Sequence, residues 1–122
     1  MAVLVVLIVF QVLLFYAVVR DPFDDKPFDR DTWLRAATAT SGPNPRGPMA
    51  EDLRRRFLRA GMSRKAVNSL LGKPDGGWDD KQKLHEDHYN LGQWSILSIE
   101  PDYLVIHYDK DDRIDRTVIP AH

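Results

Sequence analysis

The chain has no cysteine among its 122 residues. That absence excludes a disulfide framework, thiolate metal ligation, an S-palmitoyl anchor and a lipid-modified N-terminal cysteine. Charge is missing from its first part, since Ala2 to Val19 holds none of the 17 basic and 18 acidic residues. No basic excess exists either: a net charge of -1 argues against a nucleic-acid partner. A glycine-rich phosphate loop, a serine in a nucleophile elbow and motif-positioned paired carboxylates are also wanting. No catalysis and no cofactor are therefore expected.

What is present begins with the uncharged run AVLVVLIVFQVLLFYAVV, 18 residues whose one strongly polar member is Gln11. As a helix it would rise roughly 27 Å, close to the hydrocarbon thickness of a bilayer, so the expectation is one transmembrane helix over residues 1–19. A cleaved signal peptide fits less well. Such peptides open on basic residues, carry a shorter apolar stretch and end in a small-residue cleavage site, and Val18, Val19 and Arg20 follow Ala17 here. The helix is thus expected to serve as a signal anchor, with the bilayer as partner through residues 2–19. Arg20, Lys26, Arg30 and Arg35 crowd its C-terminal side, which by the positive-inside rule would place the remainder in the cytoplasm.

Residues 20–48 read as a tether. They alternate acidic and aromatic residues, with Phe23, Phe28 and Trp33, and then become AATATSGPNPRGP. A flexible chain of that length would hold the C-terminal part about 30 Å away, and its prolines would lengthen it. Phe23 is expected at a lipid interface and Trp33 against protein.

Residues 49–122 suffice for one small domain. In MAEDLRRRFLRA, Met49, Leu53 and Phe57 recur every four residues, the spacing of an amphipathic helix. Ser63 is placed as the N-cap of a second helix with Val67, Leu70 and Leu71 on its buried face. Gly72 should end it, and Pro74 prevents continuation. Strand patterns follow at His88–Leu91, Tyr103–Asp109 and Ile114–Ile119, the last two as a hairpin turning at Lys110, Asp111 and Asp112. Alternation puts Leu104, Ile106 and Tyr108 on one face and Tyr103, Val105 and His107 on the other. The expected fold class is α+β: two helices packed on a three-stranded antiparallel sheet, preceded by one transmembrane helix.

The element order, with GMSRKAVNSLLGKPD and the terminal YLVIHYDKDDRIDRTVI, resembles the SmpA/OmlA (BamE-like) family over residues 49–119. The resemblance implies an ααβββ fold and an extracytoplasmic module that binds other proteins in the bacterial envelope. Without a cysteine for lipid attachment, it points to the inner membrane, single-pass, with the domain extracytoplasmic and an envelope or membrane protein as partner. The family's binding residues do not transfer, because the shared positions are those that build the fold.

Candidate contact residues come from the chain itself. The stretch LGQWSILSIEPDY between the first two strands carries Trp94, Ile96, Leu97 and Ile99, an unusual apolar load for a connection. These are the partner-binding candidates, with capping of the sheet as the alternative. Arg54, Arg55, Arg56 and Arg59 are lipid-headgroup candidates in a second reading, a small-ligand or anionic-lipid module, and otherwise form the solvated side of a helix. His85 and His88, with Glu86 and Asp87 between them, lack an identifiable third metal donor. Asp109 to Arg113 lacks the glycine and distal glutamate of a calcium loop, so no metal site is expected.

Overall fold

A computed structural model describes residues 2–19, 21–36, 44–76, 85–94 and 100–120, with side chains of the first helix described as far as Leu14. Four helices precede three strands: α1 (Ala2–Val19), α2 (Arg30–Arg35), α3 (Arg46–Arg56), α4 (Arg64–Leu71), β1 (Glu86–Gly92), β2 (Asp102–Tyr108) and β3 (Ile114–Val118). The strands form one antiparallel sheet in the order β1-β2-β3.

Alternation decides which face of the sheet is the core. Tyr89, Leu91, Leu104 and Ile106 are fully buried on one side, and Tyr108 and Ile114 nearly so. Leu53 of α3 and Val67 and Leu71 of α4 meet them, each without exposed surface. Ser63 caps α4 as its sequence position implies, its Oγ accepting from Ala66 N–H at 3.1 Å. At the other end Gly72 adopts a φ of +81°, the left-handed region that a Cβ disfavours. The hairpin turn is organised by Asp109, whose Oδ1 accepts from the amides of Asp111 and Arg113.

The membrane expectation is overturned. Among the described residues no helix is long and apolar enough to cross a membrane. The described side chains of α1, Ala2 to Leu14, cover roughly 20 Å, against about 30 Å of hydrocarbon. The transmembrane helix in the fold class, the signal anchor and the single-pass inner-membrane location with an extracytoplasmic domain are corrected together. What the structure shows is an α+β domain preceded by an exposed apolar helix.

A second difference lies in Asp21–Ala36, a stretch whose prolines and acids read as tether. It is a strap docked on the domain. Asp25 and Lys26 both donate their amides to Pro48 O at 2.9 Å, and Glu51 N–H donates to Phe23 O at 2.9 Å. Phe28 N–H donates to Asp52 Oδ2 at 2.7 Å. Asp29 then caps α2, which carries Trp33 into the core at 0 % exposure, and the indole N–H donates to Leu71 O at 3.1 Å. Phe23 packs edge-on to Trp94 and not at a lipid interface. Phe57, expected in the core, sits at the end of α3 and is 37 % exposed, in contact with Phe28.

Candidate functional site

The loop leaving β1 starts from a fixed base. Asp102, 4 % exposed at the beginning of β2, accepts from Trp94 N–H at 3.0 Å, which closes the two ends of the connection on each other. Gly92 has a φ of +88° at the register shift of the β1–β2 pairing, so the chain turns out of the strand there. The Trp94 ring then lies over Gly47 of α3, where a Cβ would fall on the indole atoms, and its N–H donates to Leu91 O. Trp94 is thus half-buried and anchors the loop. Ile96, Leu97 and Ile99, the other partner-binding candidates, lie outside the described residues.

That packing makes a sharp forecast at Gly47. Alanine within a helix is ordinarily favoured over glycine by about 1 kcal/mol. Here Gly47→Ala is expected to destabilise by about 1–3 kcal/mol, because the new methyl overpacks against the indole. A two-dimensional NMR spectrum should also show the Trp94 indole N–H displaced. A stabilised protein with an unmoved indole resonance would contradict the contact.

The four lipid-headgroup candidates divide three to one. Arg54 donates to Glu51 Oε1 at 2.6 Å, to Thr117 Oγ1 at 3.1 Å and to Thr117 O at 2.8 Å, tying α3 to the edge strand β3. Arg55 grips Asp24 of the strap through both carboxylate oxygens at 2.6 and 3.0 Å. Arg56 does the same to Asp52 at 2.7 Å. Only Arg59 makes no ion pair among the described residues. Asp24 is held below its ordinary carboxylate pKa, chiefly by the Arg55 hydrogen bond. Asp52 is likewise held down, by Arg56 first and then by the Phe28 amide. A depressed folded pKa favours the fold above pH about 4, an effect lost as pH falls through the folded value. At neutral pH these arginines are therefore engaged within the domain.

Two hollows flank the Lys26–Pro27 ridge. One, of about 430 Å³, is walled by Asp24, Asp52, Arg55 and Arg56, charges that already satisfy one another. The other, of about 320 Å³, lies between Pro27, Thr32, Pro45, Pro48 and Met49.

The histidines converge on one carboxylate. His88 Nε2 lies 2.9 Å from Glu86 Oε2, and His107 Nδ1 lies 3.2 Å from Glu86 Oε1, so the carboxylate occupies the space between the rings. Among the described residues no group of three or more such side chains could hold a metal ion. Asp87, the other acid of that stretch, points to the opposite face and is 1 % exposed. There Arg64 of α4 pairs with it through both oxygens, at 2.6 and 3.3 Å, and lies over the Tyr108 ring.

Two arginines tied into the domain escaped the sequence reading, Arg46 buried and Arg64 partly so. Arg64 sits at the start of α4, as any solvated helix residue might. Arg46 is 1 % exposed: its Nε donates to Trp33 O at 3.0 Å, its Nη1 to Asp75 Oδ2 at 3.2 Å, and its guanidinium lies 4.5 Å from the Trp33 ring centroid. Burial pulls its pKa down and Asp75 opposes the shift. No sequence signal marks either residue, because their side-chain partners are 13 to 48 positions away.

No protein family matches this chain, and no curated protein matches it. The order α3-α4-β1-β2-β3 is the order that the SmpA/OmlA resemblance implies. An element order by itself names no family.

Proposed function

We propose that this chain works by binding another protein and not by catalysis, and that the β1–β2 loop is the contact. The supporting observation is the closed base of that loop, in which Asp102 holds the Trp94 amide while the indole is seated on Gly47 and beside Phe23. Fixing the two ends of the connection leaves less chain to be ordered on binding, and its sequence carries Ile96, Leu97 and Ile99, apolar side chains of the kind such a contact needs. The inner face of the sheet is meanwhile occupied by α2, α3 and α4.

The partner class carried by the SmpA/OmlA resemblance is a protein of the bacterial envelope. The anionic-lipid alternative has less to stand on, since Arg54, Arg55 and Arg56 already have partners inside the domain. A photo-crosslinking residue at Leu97 in living cells is expected to give a discrete protein adduct, and the same residue at Lys110 in the hairpin turn none. Adducts of equal yield at both positions, or none at Leu97, would sink the loop assignment.

A further inference from the structure

The first part of the strap reaches the base of the β1–β2 loop. The Phe23 ring meets the Trp94 ring edge-on, with centroids 6.3 Å apart and planes at 74°, while Gly47 of α3 lies against the same indole. Trp94 is therefore held four times over: its amide by Asp102, its indole N–H by Leu91 O, and its ring by Gly47 and by Phe23. Three of those holds come from the body of the domain. The fourth comes from a segment that is lightly attached. Residues 21–26 are joined to α3 by Phe23 O accepting from Glu51 N–H, by the Asp25 and Lys26 amides donating to Pro48 O, and by the exposed Asp24–Arg55 pair. Asp24, Asp25 and Lys26 are themselves exposed. A segment held by a few solvent-facing contacts opens locally while the core stays closed. Opening would stop at Phe28 and Trp33, which the Asp52 carboxylate and Leu71 O secure.

We propose that residues 21–26 are a latch on the β1–β2 loop: docked, they hold Trp94 against α3 and keep the base of the loop in place, and lifted, they loosen that base without unfolding the domain. The inference rests on the reading of this loop as the protein contact, since the latch then sets how well the partner is bound. The two states differ by identifiable contacts, which are the Phe23–Trp94 ring pair, three amide hydrogen bonds and one ion pair. Linkage fixes the rest. A partner that binds the loop on its ordered base holds the strap down by the same factor by which the docked strap favours the partner. A pull on the chain before Asp21 would accordingly weaken the contact, and a bound partner would resist the pull.

Two substitutions in the full chain test the latch apart from the contact it serves. Phe23→Ala removes the ring beside Trp94. Arg55→Glu turns the clasp on Asp24 into a repulsion and leaves Phe23, Trp94 and Gly47 in place. Hydrogen exchange of the indole N–H groups, followed by NMR, should accelerate at Trp94 by about fivefold in Phe23→Ala and about threefold in Arg55→Glu. The Trp33 indole, which donates to Leu71 O in the core, should keep its rate in both. In cells, the Leu97 photo-crosslink should lose about half its yield or more in either variant. Trp94 exchange that ignores Arg55→Glu would overturn the latch, because Phe23 would then be no more than a cover. Equal acceleration at Trp33 and Trp94 would overturn it too, being the mark of a domain that opens as one unit. So would a faster Trp94 with an undiminished Leu97 adduct. Absence of any adduct in the parent would instead refute the loop as the contact, and the exchange rates would still decide whether the strap governs its base.

Discussion

A chain starting at Met49 is expected to lack a cooperative unfolding transition, while one starting at Asp21 unfolds at the same urea midpoint as the full chain. The reason is where the core ends. Starting at Met49 removes Trp33, which is fully buried against Tyr89 at a ring separation of 5.9 Å, and also Phe28, Asn44 and Arg46. Removing the indole alone, as in Trp33→Ala, should cost about 3–5 kcal/mol, a large share of the 5–15 kcal/mol that a whole domain possesses. It would also leave Leu71 O without the indole donor. Far-UV circular dichroism through a urea titration checks both variants. A Met49 chain as stable as the Asp21 chain would show that the strap is ornamental.

The second large effect is expected at Arg46. Replacing it with alanine leaves Trp33 O without its guanidinium donor and Asp75 without its cation, and opens a cavity under α3. The pair is buried on the arginine side, while Asp75 keeps 30 % exposure; losing it together with the hydrogen bond to Trp33 O is expected to cost about 2–4 kcal/mol, and in a domain of this size that lowers Tm by about 10 °C or more. Lysine should not restore it. Its ammonium lacks the planar fork that reaches Trp33 O and Asp75 together while lying on the indole face. A Tm for Arg46→Lys within a degree or two of the parent would mean that charge alone, and not the shape of the guanidinium, holds the site.

These two residues also mark where sequence reasoning stops. The helix α4, the hairpin and the inward-facing set Leu104, Ile106 and Tyr108 are legible because each depends on neighbours in the chain: a cap, a left-handed glycine, an alternation of period two. The strap is not legible in that way. Its prolines and aspartates have the composition of a linker, and what orders them is Pro48 O, the Asp52 carboxylate and Arg55 of α3, all more than twenty residues on. Arg46 and Arg64 look like solvated helix residues until their partners are placed in space. The apolar run misleads in the opposite direction, since hydropathy invites a membrane and no described helix is long and apolar enough to cross one. Of the candidate contacts, Trp94 has its place over Gly47, and Arg54, Arg55 and Arg56 prove to be clasps within the domain.

Chain that is docked is also chain held in reserve. Asp21–Ala36 lies along α3 by a few amide contacts and the exposed Arg55–Asp24 clasp. Drawn off and fully extended it would span up to about 55 Å. Tension applied through α1 would therefore strip the strap first, and Trp33, at the strap's far end and sunk in the core, is the stop at which paying out line turns into unfolding the domain.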